Sequence, residues 1–307
     1  MNTRLKGIIL ALTGGIFWGF SGVCGQYLFQ IKGATPEWLS AWRLFISGIL
    51  ILICIAPKYK MDIFKVFDKR LILPMLIFCF VSVMGCQHSY FMAIAHSNSA
   101  TATVLEYIAP AIVMLFVCIA GRRLPSPLQF IALLCAMAGV FFMATGGNIH
   151  SLSISGAALF WGILAGVCYG VYTIQSPSLS AQCGVLPMLG WGNLIGSIPL
   201  MLINHEYAFS YIPDGQAFLA FLGTAILGTI LSSGIYIKGC QLAGPVTSSL
   251  CASIEPLSSA VIAYLWLGTQ FKPADIAGLV LIVGTVVILT LDKGKTPVDK
   301  NMQIDSN

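Results

Sequence analysis

Apolar stretches of about 20 residues, the length that crosses a bilayer as a helix, recur along almost the whole chain and are separated only by short polar or Pro/Gly punctuation. Cutting at that punctuation predicts ten helices, near residues 7–29, 37–56, 71–93, 99–120, 127–145, 155–176, 185–204, 216–238, 246–267 and 274–291. The first has an apolar core too long for a signal peptide and no A-x-A site behind it, so it reads as a span. Residues 292–307 (DKGKTPVDKNMQIDSN) read as a polar, disordered tail. The expected fold class is an all-α integral membrane protein with ten transmembrane helices.

Composition excludes the main alternative. A chain of 307 residues could hold two soluble domains, but 57% of it is hydrophobic and 9% is charged, against about a quarter charged in soluble domains. No polar stretch is long enough for a separate catalytic or nucleic-acid-binding domain. The net charge of +5 therefore reports orientation rather than a nucleic-acid partner. With the N-terminus inside, the cytoplasmic segments hold Arg4, Lys6, Lys58, Lys60, Lys65, Lys69, Arg70, Arg122, Arg123, Lys238, Lys293, Lys295 and Lys300. The outer loops hold only Lys32 and Lys272, and Arg43 is left inside the second helix. Both termini are expected in the cytoplasm and the protein in the plasma membrane. The basic segment 57–70 is expected on the inner surface, with Ile63, Phe64, Val66 and Phe67 dipping into the interface. The ten Cys show no C-x-x-C spacing and no Cys/His cluster, so they read as free apolar filler, with Cys183 in a short loop.

The chain also matches itself. A shift of 146 sets Tyr90 over Tyr236, Pro110 over Pro256, Pro127 over Pro273, and residues 100–103 over 246–249. Helix 2 meets helix 7 at 149, with Trp42 over Trp191; helix 1 meets helix 6 at 151, with Gly15 over Gly166 and Trp18-Gly19 over Tyr169-Gly170. Residues 1–147 and 148–291 are thus expected to be two five-helix repeats, followed by the tail 292–307. Five is odd, so the second repeat enters the membrane inverted. Inverted repeats build secondary transporters, with substrate held near the midplane between the halves.

Ten helices as five plus five resemble the drug/metabolite transporter superfamily, EamA-type exporter branch. The resemblance rests on Phe17-Trp18-Gly19, on residues 42–45 (Trp-Arg-Leu-Phe), on the mid-helix prolines Pro110 and Pro256, and on Gly139 and Gly284. Where the family often has Gly-Glu between helices 4 and 5 and between 9 and 10, this chain has Arg122-Arg123 and Gly268-Thr269. The resemblance implies transport of small metabolites, often export.

A charge at bilayer depth costs about 2.5–3.5 kcal/mol on insertion scales and tends to face a cavity or a partner. Arg43, Glu106, Glu255 and the neutral-pH switch residue His88 lie at such depth. Helical spacing puts the charges on polar stripes: Ser40, Arg43 and Ser47; Ser99, Thr103, Glu106 and Pro110; Ser248, Glu255 and Ser259; with Thr229, Ser233 and Tyr236 on helix 8. Two readings stand side by side: Arg43 and Glu106 engage a carboxylate and an amine of the substrate, or they form a permanent ion pair that fixes packing. Pro110 and Pro256 are expected to break helices 4 and 9, and Glu255 beside such a break is a candidate proton carrier, as is Glu106. Trp18, His88, Tyr90, Tyr169, Trp191 and Tyr236 join Arg43 and Glu106 as candidate substrate-binding residues, and Tyr172 is a further aromatic that could line a cavity. Gly15-x3-Gly19 and Gly162-x3-Gly166-x3-Gly170 allow close helix packing.

No H-E-x-x-H, G-x-S-x-G or Walker sequence is present, and His88, His96, His150 and His205 are scattered. The expectation is a non-enzyme with no cofactor or metal. It is a secondary transporter, by preference an exporter, of an amino acid or related amphoteric compound. Its expected partners are that substrate, the bilayer and protons, and a homodimer is compatible. A sugar-phosphate or nucleotide-sugar exchanger and a membrane-embedded enzyme are the alternatives; the former would need several cavity cations, and only Arg43 and Lys238 are available.

Overall fold

The computed structural model describes residues 3–121, 124–146, 154–203, 205 and 211–291. Arg122, Arg123, Asn148, His150, the repeat boundary at 147/148 and the tail 292–307 lie outside the described residues. The described chain folds as ten helical spans: α1 Thr3–Gln30, α2 Pro36–Tyr59, α3 Ile72–Ala95, α4 Ser99–Ala120, α5 Pro127–Thr145, α6 Gly156–Cys183, α7 Val185–Ile203, α8 Gly215–Ala243, α9 Pro245–Leu267 and α10 Pro273–Leu291. Eight are long and apolar enough to cross a membrane, and α5 and α10 contribute the shorter apolar stretches Pro127–Gly139 and Pro273–Thr285.

Helix starts follow the local chemistry. Thr35, Asn98, Ser126, Ser155 and Asp214 each accept a backbone N–H from the first turn of α2, α4, α5, α6 and α8. Single glycines make the hairpins after α6 and α8: Gly184 at φ 87° and Gly244 at φ 83°, where a side chain would be strained. Three spans outrun their expected ends. Helix α2 continues through Pro57 to Tyr59 and on as a 3-10 helix, Lys60–Phe67. Helix α8 runs to Ala243. Helix α6 passes Pro177 and ends at Cys183, so Cys183 is helical and buried rather than in a loop. Around Pro177 the hydroxyls of Ser176 and Ser180 donate to the Tyr172 and Pro177 carbonyls.

The molecule is polar inside and apolar outside. Arg43, Glu106, Glu255 and many Ser and Thr are buried, whereas Leu73, Ile203 and Leu265 are 67%, 73% and 76% exposed. That inversion suits a hydrocarbon solvent.

The two repeats cross-pack. Helix α2 lies along α7, α5 along α10, and α1 along α8 as α3 lies along α6. Glycines set the approach. A Cβ on Gly48 would come 2.6 Å from the Leu194 N, one on Gly139 2.8 Å from the Gly278 carbonyl oxygen, and one on Gly7 2.8 Å from the Ala243 N. The repeat is visible in irregularities too. A π-helical stretch, Phe78–Gly85, widens α3, and its counterpart Gly223–Leu231 widens α8 at the shift of 146. Helix α4 is interrupted at Tyr107–Ile108, and α9 at Ala252–Ser253. The prolines sit just past these breaks, at the start of the second half-helices.

Candidate functional site

The interruptions in α4 and α9 meet at the centre of the bundle. Helix α6 reaches the first through Gly166, whose Cβ would lie 2.7 Å from the Glu106 carbonyl oxygen. Helix α1 reaches the second through Gly15, whose Cβ would lie 3.0 Å from the Ala252 carbonyl oxygen. Beside these crossings opens a cavity lined by Trp18, Ser21, Arg43, Ser82, Cys86, Gln87, Tyr90, Glu106, Tyr169, Tyr172 and Glu255.

The two carboxylates flank the breaks in opposite senses. Glu106 ends the first half of α4, and Glu255 begins the second half of α9 one residue before Pro256. Both are buried, at 6% and 4% exposure. Glu106 Oε1 accepts a hydrogen bond from the Cys86 thiol at 3.3 Å.

Arg43 is held by the widened turn of α8. Thr229 donates its hydroxyl to the Thr224 carbonyl five residues back at 3.1 Å, and the turn presents the Gly228 carbonyl and Thr229 hydroxyl to α2. Arg43 Nε donates to Thr229 Oγ1 at 2.5 Å and Nη2 to the Gly228 oxygen at 3.0 Å. The guanidinium lies 4.8 Å from the centre of the Phe91 ring. The permanent Arg43–Glu106 ion pair that the sequence allowed is not formed. Among the described residues the ion pairs are Lys32–Asp214 and Lys65–Asp62, both outside the cavity. Arginine has turned instead to neutral backbone and hydroxyl oxygens.

Aromatic rings form one wall. Trp18 meets Tyr169 edge-on at 5.7 Å and Tyr172 at 6.5 Å. Tyr90 closes another side, its hydroxyl 2.9 Å from Thr103 Oγ1. Of the residues picked out in the sequence, Trp18, Arg43, Tyr90, Glu106, Tyr169, Tyr172 and Glu255 thus come together. Three do not line the cavity. Tyr236 stands behind Trp18 at 4.8 Å, with its hydroxyl 3.0 Å from Thr173 Oγ1. His88 packs edge-on against Trp161 at 5.7 Å. Trp191 donates Nε1–H to the Ile63 carbonyl at 2.9 Å and packs on Phe67 at 4.8 Å, so it anchors the 3-10 helix Lys60–Phe67. Lys238 is also outside, bonded to Gln241 at 3.0 Å.

Ser21, Ser82, Cys86 and Gln87 were not anticipated. Ser82, Cys86 and Tyr90 recur every four residues on α3, a readable stripe that was hidden because Cys counts as apolar. Among the described residues no group of three His, Cys, Asp or Glu could hold a metal.

A model of the EamA-like transporter family matches residues 5–145 and again residues 156–291. A Salmonella typhimurium protein described as an uncharacterized inner membrane transporter, YicL, is 36% identical over 293 residues, covering 95% of this chain and 97% of its own. The threonine/homoserine exporter RhtA of Escherichia coli is 27% identical over 285 residues, covering 91% of this chain and 89% of its own. A solved crystal structure superposes with a TM-score of 0.71 at 17% identity over 94% of this chain and 98% of that one, a likeness of fold.

Proposed function

The chain belongs to the EamA-like transporter family, and on that premise we propose that it is a gradient-driven exporter of an amino acid or related amphoteric compound, working by alternating access. One observation carries this reading: a buried arginine and two buried glutamates line a single cavity where the broken helices of two inverted repeats meet. Ionisable groups at that depth are costly and mark substrate or ion pathways. One positive and two negative groups suit a molecule bearing both a carboxylate and an ammonium group. The relative named as a threonine/homoserine exporter supports that class.

Residues 1–147 and 148–291 act as the two moving halves, with both termini in the cytoplasm. Glu106 and Glu255 carry the coupling protons: their position beside freed backbone at the breaks lets one release a proton when substrate ammonium arrives. A sugar-phosphate exchanger fits less well, since among the described residues Arg43 is the only Lys or Arg lining the cavity.

The test is flux in proteoliposomes loaded with labelled amino acids under an imposed pH gradient. Wild-type protein should carry an amino acid, and Glu106→Gln or Glu255→Gln protein that still folds should lose gradient-driven flux by at least about tenfold, as loss of a charge-assisted contact implies. Unchanged flux in both variants contradicts the coupling role.

A further inference from the structure

Among the buried polar atoms with no hydrogen-bond partner among the described residues are Nε1 of Trp18, the hydroxyl of Ser21 and Nη1 of Arg43. All three residues line the cavity. Trp18 and Ser21 stand three apart on α1 and share a face. Ser21 and Arg43 come together at Gly228: a Cβ there would collide with the Ser21 side chain and lie 3.5 Å from Arg43 Nη2. The bare backbone of Gly228 is therefore what lets α1 and α2 bring these groups side by side.

The direction of the free Arg43 nitrogen is fixed. A guanidinium is planar, and its five N–H donors form a rigid fork. Nε and Nη2 are already bonded to Thr229 and Gly228 of α8, and the Phe91 ring covers one face of the guanidinium. Those contacts set the plane and so aim Nη1. An indole N–H and a guanidinium only donate, and a hydroxyl can donate, so the cluster supplies donors around a buried cation. Such a cluster calls for an anion, and a planar carboxylate matches the fork. Glu106 and Glu255, on α4 and α9, bring acceptors to the same cavity.

Resting on the reading of this cavity as an amphoteric-substrate site, we propose that Trp18, Ser21 and Arg43 form a carboxylate cradle built on Gly228. The substrate lies with its carboxylate against α1, α2 and α8 and its ammonium toward Glu106 and Glu255. The N–H and O–H donors of the cradle, rather than the ring faces of the aromatic wall, separate amino acids from simple amines.

The test is competition in proteoliposomes between labelled amino acids and unlabelled L-amino acids, their primary amides and the matching decarboxylated amines. An amide keeps the ammonium and side chain but lacks the charged carboxylate. In the wild type the acid should compete about tenfold better than its amide, the value of one charge-assisted contact. Arg43→Gln should weaken the acid about tenfold and leave the amide within about twofold, closing the gap. Trp18→Phe keeps an aromatic ring and removes the N–H donor, so it reads the cradle even if the arginine variant fails to fold; it should narrow the same ratio by about threefold to tenfold. An acid-to-amide ratio unchanged in both variants, with amino acids still carried, overturns the cradle and leaves the functional reading standing. Carriage of amines alone, or of no member of the panel, overturns the functional reading and the cradle with it.

Discussion

Gly166 of α6 rests on the Glu106 carbonyl of α4, where a Cβ would lie 2.7 Å away. The repeat-related Gly15 of α1 rests on the Ala252 carbonyl of α9, at 3.0 Å. Two different internal shifts, 151 for the glycines and 146 for the carbonyls, converge on one relationship: a glycine of each half holds open the helix break of the other.

Gly166→Ala should therefore distort the Glu106 break, costing about 1–3 kcal/mol as overpacking does and lowering flux. Gly234→Ala, in α8 with nothing within 4 Å of its Cβ, should be neutral or stabilise by up to about 1 kcal/mol from helix propensity. Thermal melting of the two purified variants checks this; equal melting points would contradict it.

Thr229→Val should impair transport in the manner of an Arg43 variant, though Val is nearly the same shape. It leaves the Arg43 Nε–H buried without its 2.5 Å acceptor, at a cost of about 1–3 kcal/mol. Because the two residues act as one unit, Thr229→Val combined with Arg43→Gln should fall well short of additive in a double-mutant cycle of flux. Strict additivity would show that the π-helical turn does not position the arginine.

Much of this was readable beforehand. The ten spans, the repeat and the burial of Arg43, Glu106 and Glu255 all follow from periodicity and from the rarity of charge in apolar sequence. What periodicity could not show is which face of a uniformly apolar helix turns inward. Trp191 repeats Trp42 and looked like a cavity residue, yet its indole N–H is used by the Ile63 carbonyl. Cys86 looked like filler but carries a polar contact to Glu106. The π-helical turns had no sequence mark at all, because they depend on how α2 and α7 press on α8 and α3. They also explain why Arg43 found backbone oxygens instead of Glu106.

Trp191→Phe should loosen the segment Lys60–Phe67 by removing its hydrogen bond to Ile63, worth about 1 kcal/mol. Trypsin should then cut at Lys60 or Lys65 faster in the variant than in the wild type, with flux little changed. Equal cleavage rates would contradict the anchoring role.

Outside the cavity, Lys32 and Asp214 form a 2.7 Å ion pair joining the α1–α2 loop to the start of α8. The hydrogen bond from Lys32 holds the Asp214 carboxyl below its ordinary range, and Asp214 raises the Lys32 ammonium. Asp214 thus contributes stability above the ordinary carboxylate pKa of about 3.9, lost as pH falls through its lowered value. Lys32 contributes below about 10.4, its ordinary value, and loses that as pH rises through its raised value. Asp214 is exposed and Lys32 is half-buried at the surface, so the effect is small. Asp214→Asn should flatten the acid limb of a melting-temperature profile by lowering the neutral plateau slightly toward the acid value; any pH dependence of flux near neutrality should survive it.

The most direct test of alternating access uses Cys86, which lines the cavity and touches Glu106. In protein retaining Cys86 as its only thiol, a membrane-impermeant maleimide should reach it from both sides of the bilayer. An imposed pH gradient should speed labelling from one side while slowing it from the other, and the transported amino acid should protect. Labelling from a single side under every gradient, or only by lipid-soluble reagents, would contradict a central cavity opened in turn by the two halves.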